Sequence, residues 1–211
     1  HYYHGRDYNR ALSRFNSAVA DGYETDEVNY KRGYIQYRNE NFDRAADLFF
    51  SIGSISEIFG LNNNIMYARA NALYNRGNYV AAEALYAELL DRLTQQRSRI
   101  RTLLVDEDDS HRALVENLVR VHNNLGVTRY RIGETASGSS NENPRLSQAL
   151  ASLQMSTELS GNYLRDYETG RRALATDLAF LNIREILYPG TGGFEPQIYV
   201  ELPRDPEQSL W

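Results

Sequence analysis

Tyrosine is the side chain whose placement first suggests chemistry. Tyr37, Tyr74 and Tyr130 each stand four positions after a small residue, namely Gly33, Ala70 and Gly126. The chain holds 16 tyrosines, so recurrence at one spacing is the informative feature, not abundance. A tyrosine offers a large apolar face and a polar tip. That is chemistry for holding a ligand rather than transforming one. Catalytic and metal-binding sets are thinner. His1 and His4 stand near the start, and His111 and His122 share a helical face. The latter two would lie about three helical turns apart, too far to share one ion. Asp106, Glu107, Asp108 and Asp109 form an acidic run, but it lacks the glycine and terminal glutamate of a calcium loop. It suits a helix N-terminus, where negative charge meets the helix dipole. There is no Gly-x-Ser-x-Gly and no phosphate-cradling glycine loop. Gly190, Gly192 and Gly193 follow a helical stretch, the wrong side for phosphate. The chain is expected to be no enzyme and to hold no metal and no cofactor.

Composition narrows the partners. The 211 residues carry a formal charge of −5, which weighs against nucleic acid, whose backbone rewards a basic surface. No apolar run approaches the roughly 18 residues of a membrane-spanning helix. Lys31 is the only lysine, so nearly all positive charge is arginine. Cysteine is absent, which removes disulfides, thiolate zinc sites and cysteine nucleophiles together. That composition suits the cytoplasm or a bacterial envelope, and a periplasmic or envelope setting is the expectation retained. No signal peptide is visible.

What positions the tyrosines is a repeat, the feature to look for before any other. Tyr8, Ala11, Phe15 and Ala18 match Phe42, Ala45, Phe49 and Ile52 at an offset of 34. Those match Tyr79, Ala82, Tyr86 and Leu89 at an offset of 37. A fourth copy is Leu146, Ala149, Leu153 and Ser156. The preceding segments align too, through Arg32-Gly33, Arg69-Ala70 and Leu125-Gly126. Each unit reads as helix, tight turn, helix. The Asn71–Leu89 stretch is the clearest, with its turn at Gly77-Asn78-Tyr79. Small residues allow two helices to approach closely, and aromatics at Phe15, Phe49 and Tyr86 are expected to fill the space between one unit and the next. One pair cannot bury its own apolar faces, so stacking must supply the core.

These residues resemble the tetratricopeptide repeat family over roughly residues 1–159. The resemblance rests on the small residue of the first helix, the Gly-x-Tyr turn, and the alanine and aromatic of the second. It implies an all-α fold, a right-handed α–α superhelix, that is, a solenoid of about four units. The first unit opens mid-helix at His1 to His4, which implies a fragment of a longer protein or a first helix lost with a signal sequence. Helices are expected at about 9–20, 26–40 and 43–54, with a longer connection at 55–62 and the third unit from about Asn63 onward. The fourth unit is displaced by insertions at about 93–112 and 134–145. The first of these reads as an extended helical hairpin on which Ile100, Leu103, Leu104, Leu114, Leu118 and Val119 face one another. The second, rich in Ser, Gly and Asn, reads as a loop beginning after Gly133. Helix resumes at about 145–159 and breaks at Ser160-Gly161. Residues 160–188 are expected to form a capping helix, with Leu174, Leu178, Leu181 and Ile186 inward. Arg171, Arg172, Asp177 and Arg184 would make its polar outer face. Residues 189–211 are expected to form an extended tail that alternates Ile198, Val200 and Leu202 against Tyr199 and Glu201.

In the family, ligand peptides lie in a groove lined by first helices. Carried over by position, that groove comprises Glu27, Tyr30, Tyr34, Tyr37 and Arg38 in the second unit. The third supplies Asn64, Tyr67, Asn71, Tyr74 and Asn75. The fourth supplies Arg120, Asn123, Val127, Tyr130 and Arg131, and the truncated first unit Tyr3 and His4. Asparagine can hold a peptide backbone by donor and acceptor together, and arginine suits a carboxylate. The tyrosines can equally pack against the next helix and only half line the groove. Asn71, Asn75, Arg120 and Arg131 partly resemble the clamp of chaperone-binding members, but the lysines of that clamp are missing and Tyr67 occupies one of its positions. The resemblance therefore implies a non-enzymatic interaction scaffold that holds a partner peptide or helix. The alternative is a structural assembly subunit of a bacterial envelope complex, self-associating through the hairpin or the tail. The tail can also fill the chain's own groove or add a strand to another chain.

Overall fold

The computed structural model describes residues 7–53, 61–102, 109–137, 143–163, 174–190 and 195–201. Eight helices account for almost all of these: α1 (Tyr8–Ala20), α2 (Asp26–Arg38), α3 (Phe42–Ser51), α4 (Leu61–Asn75), α5 (Tyr79–Thr102), α6 (Asp109–Ser137), α7 (Leu146–Tyr163) and α8 (Leu174–Leu187). No strand occurs among the described residues. The fold class is all-α, as the repeat implies. The chain forms two compact units, one up to Asn78 and one from Tyr79 to Val200.

In the first unit the helix ends follow local chemistry. The Asp7 carboxylate accepts from the Arg10 N–H at 3.3 Å and the Thr25 hydroxyl from the Val28 N–H at 3.2 Å. Each satisfies a donor that the first turn leaves open. Asp26 and Glu27 in the first turn of α2, and Arg38 in its last, complement the helix dipole. At the far end of α3, the Arg69 guanidinium donates to the carbonyls of Phe49 and Ile52, each at 2.9 Å. That ties α4 to the open C-terminus of α3.

The repeat's small residue works by close approach. A Cβ built on Gly33 would stand 2.6 Å from Cε1 of Phe49, and Phe49 is fully buried. The aromatic of α3 therefore lies against the glycine of its own helix pair, with Tyr30 tilted against it at 6.0 Å between ring centres. In the second unit a Cβ built on Gly126 of α6 would likewise stand 2.7 Å from Cγ of Leu153 of α7.

The second unit carries the long helices. α5 runs 24 residues and α6 runs 29. Arg129, late in α6, donates to Glu83, early in α5, at 2.9 Å, so the two run antiparallel. Leu114, Leu118 and Val119 are buried as the hairpin requires. Leu103 and Leu104, and the side chain of Ile100, lie outside the described residues, as do Asp106, Glu107 and Asp108. Two expected breaks are absent. α6 continues past Gly133 to Ser137, and α7 continues past Ser160-Gly161 to Tyr163. Ser160 is buried, which shows why a polar, glycine-containing pair need not end a helix that packing holds. Of the cap, Arg171 and Arg172 and the connection before Leu174 lie outside the described residues, as do the side chains of Leu174 and Asp177. The Ser/Gly/Asn-rich stretch is described only at its margins. Asn143 donates to the Tyr130 carbonyl at 3.0 Å and accepts from the Arg145 N–H at 2.9 Å, which fixes the start of α7 against α6.

The turn after each first helix gives a sharp comparison. Gly77 has φ +77° and its N–H reaches the Tyr74 carbonyl at 2.9 Å. Thirty-seven residues earlier, at the repeat's own offset, Glu40 has φ +61° and its N–H reaches the Tyr37 carbonyl at 3.0 Å. Glutamate there bears the left-handed backbone that glycine adopts freely. Glu40→Gly is expected to stabilise the chain by about 0.5–1 kcal/mol, and Gly77→Ala to destabilise it by about the same or somewhat more. Urea unfolding of both variants checks this; a Glu40→Gly variant weaker than the parent would contradict it.

A backbone clamp on the second unit

Three asparagines make the most specific polar site. Asn123 and Asn124 lie on α6 and Asn182 on α8, all fully buried. Buried amides are costly unless paired, and their partners are the main chain of residues 197 and 199. The Gln197 N–H donates to Asn182 Oδ1 at 2.9 Å, and the Gln197 carbonyl accepts from Asn182 Nδ2 at 2.8 Å. The Tyr199 N–H donates to Asn124 Oδ1 at 2.6 Å, and its carbonyl accepts from Asn124 Nδ2 at 3.2 Å. Asn123 adds a third amide, donating to the Gln197 carbonyl at 3.2 Å.

The geometry has a simple cause. In an extended chain the N–H and C=O of one residue point to the same side, and those of residues i and i+2 share it. A carboxamide presents a donor and an acceptor side by side. Each asparagine therefore closes a two-bond ring with one residue, as a neighbouring strand would. Two such rings, two residues apart, form a helix-borne substitute for a strand edge. The amides also hold one another. Asn182 Nδ2 donates to Asn123 Oδ1 at 2.8 Å, Asn123 Nδ2 to Asn124 Oδ1 at 3.2 Å, and Asn124 Nδ2 to the Tyr86 hydroxyl at 3.4 Å.

Side chains of the held segment add less. Pro196 and Ile198 are buried, whereas Gln197 and Val200 are exposed. The expected alternation, with Ile198 and Val200 on one inward face, therefore fails at Val200; Leu202 lies outside the described residues. Arg131 bridges Glu195 at 3.2 Å and Glu134 at 3.0 Å. Glu195 is largely exposed, so that pair contributes little in salt.

The sequence-derived groove residues divide. Asn123 and Arg131 join the clamp, and Tyr130 and Arg120 are half-buried on the same helix. Val127, beside them, is buried. In the first unit Tyr30, Tyr37, Tyr67 and Asn71 are buried, a correction to the expectation that they face a ligand. The Tyr37 hydroxyl accepts from Asn71 at 3.2 Å and from Asn75 at 3.4 Å. Burial pushes its pKa up to about 12, against the opposing pull of those two amides. This tyrosine ties α2 to α4. Tyr34 is half-buried against Tyr8, at 6.3 Å between ring centres. Asn64, Tyr74 and Asn75 are half-buried, and Glu27 and Arg38 remain at the surface, with Glu27 pairing Lys31 at 2.7 Å. Tyr3 and His4 lie outside the described residues.

Asn124 and Asn182 were missed. Asn124 falls at the repeat position of Ala68, where nothing suggests a ligand. Asn182 shares the inward face of α8 with Ala179 and Ile186, and an amide on such a face demands a partner. That demand was the available signal.

The family comparison agrees with the helix pairs. A family model described as tetratricopeptide repeat matches residues 1–51 and 59–97. Over those residues the chain is similar to tetratricopeptide repeats. The matched residues are somewhat under half the chain, and the tetratricopeptide match stops short of α6, where the clamp begins. No curated protein and no solved structure matches the chain. Among the described residues, no cluster of three metal-ligating side chains occurs and no helix is long and apolar enough to cross a membrane.

Beside the clamp, His122 is held neutral. Burial first, and the Arg129 charge second, lower its pKa to about 4. The unfolded chain therefore binds a proton that the folded chain refuses between about pH 6.5 and pH 4, and stability falls as pH drops through that window. His122→Leu is expected to remove about 2 kcal/mol of the stability lost between pH 7 and pH 4.5. Urea titrations of parent and variant at the two pH values measure the difference; equal losses would contradict it. The clamp itself is checked by amide exchange. The Gln197 and Tyr199 amides are expected to be protected in the parent, with Asn182→Ala releasing Gln197 and Asn124→Ala releasing Tyr199 by at least tenfold. Unchanged exchange in both variants would contradict the clamp.

Proposed function

We propose that the protein is a non-enzymatic scaffold that holds an extended segment of a partner protein on the second unit, by its main chain. Tetratricopeptide repeats generally mediate protein–protein interaction, and the finer reading is supported by one observation. Two buried asparagines each hold both polar groups of one residue in an extended stretch. A helical surface arranged for that purpose accepts peptide backbone, much as strand addition does at a sheet edge.

Of the groove set carried over from the family, this reading keeps Asn123 and Arg131, and it adds Asn124 and Asn182. Of the first-unit set, Tyr30, Tyr37, Tyr67 and Asn71 are buried among the helices, while Glu27 and Arg38 stay at the surface. A second reading rests on the same observation. A segment seated by backbone bonds can seat equally in another copy of the chain, which is how an assembly subunit would join its neighbours.

Panning of a displayed library of random eight-residue peptides tests the main reading. Clones that bind the parent are expected to lose at least tenfold in affinity to a variant carrying Asn124→Ala with Asn182→Ala. Clones that bind the double variant as well as the parent would reject the clamp as the binding surface.

A further inference from the structure

The site just described is already filled, by the chain's own residues 195–199. Resting on the reading above, we propose that this segment is a stand-in for the partner, and that it must leave before the partner enters. The partner segment shares its chemistry: main-chain N–H and C=O available at two alternate positions, an aliphatic residue between them, and a carboxylate two residues before the first.

Each element of that description comes from a named contact. The two rings at Gln197 and Tyr199 use only main-chain groups. Any residue but proline satisfies them. Pro196 falls one position before the first ring, where no clamp asks for an N–H. Ile198 sits between the rings and is buried, so an aliphatic side chain is read there. Glu195 meets Arg131 at 3.2 Å, and Arg131 keeps Glu134 when that carboxylate departs. The amides are also held by one another. Asn182, Asn123, Asn124 and the Tyr86 hydroxyl form a chain of hydrogen bonds among themselves. Emptied, the site keeps its donors and acceptors in place for the next strand.

Competition follows from connectivity. α8 ends at Leu187 and the first ring is at Gln197. Across so few residues the segment's effective concentration is on the order of millimolar. A partner in solution at micromolar concentration meets an occupied site, and anything that draws the segment away raises the apparent affinity.

The test uses the full chain and a fluorescent peptide with the sequence of residues 194–201. Tyr199→Pro removes the N–H that reaches Asn124 and adds bulk at the second ring, so the chain's own segment is unseated. Gln197→Pro does the same at the first ring and replaces it if Tyr199→Pro melts early by circular dichroism. Anisotropy titration is expected to show the proline variant binding the peptide at least tenfold more tightly than the parent. Adding Asn124→Ala and Asn182→Ala to the variant is expected to abolish binding. A peptide with aspartate at the Ile198 position is expected to bind at least tenfold more weakly. Equal binding by parent and proline variant would overturn the competition and leave the scaffold reading standing. Binding by neither would overturn both. Equal binding of the aspartate peptide would overturn the aliphatic requirement. A parent dimer in sedimentation that Tyr199→Pro dissolves would also overturn the proposal, since the occupant would then be a second copy.

Discussion

A carboxamide buried among apolar helices must find two partners or cost the fold several kcal/mol. Asn123, Asn124 and Asn182 place three such groups at the meeting of α6 and α8. Their need is met partly by one another and partly by an extended stretch of main chain. The path of residues 195–199 follows from that requirement, since no helix or paired strand organises them. The side chains of the stretch contribute burial at Pro196 and Ile198, but the amides set its register.

The scaffold beneath is built from a different rule. Where α2 meets α3 and where α6 meets α7, a glycine on one helix receives a large side chain from the other. That approach repeats even though the second pair is separated by an inserted connection. A charged contact then joins α5 to the pair formed by α6 and α7. Glu83 of α5 receives both Arg129 of α6 and Arg145 just before α7, the latter at 3.0 Å. Its carboxylate is well shielded from water, so the pairing is less screened than a surface bridge.

Much of this was legible in the order of residues. The helix pairs, their turns and the small residues recur at spacings that a self-comparison exposes, because close packing leaves few residue types at those positions. The ends of α6 and α7 were harder. Gly133 and Ser160-Gly161 look like stops, yet tertiary contacts carry the helix through both, and local propensity is a weak prior against such contacts. The groove was half legible. Tyr37, Asn71 and Asn75 have the chemistry of ligand binding, and they use it to hold α2 to α4. Position in a repeat does not distinguish these two uses of the same side chain. Asn124 was hidden for the opposite reason. It replaces a small apolar residue of the preceding unit, and only the burial of the site shows that the change matters.

The clamp grips through groups that every residue but proline shares. Natural selection on a partner segment would then act on one aliphatic position, on one acidic position, and on the avoidance of proline at two others, and the remaining letters would be free to drift. Relatives of such a partner would keep their attachment while losing any recognisable consensus. The association would be inherited as a conformation rather than as a spelling.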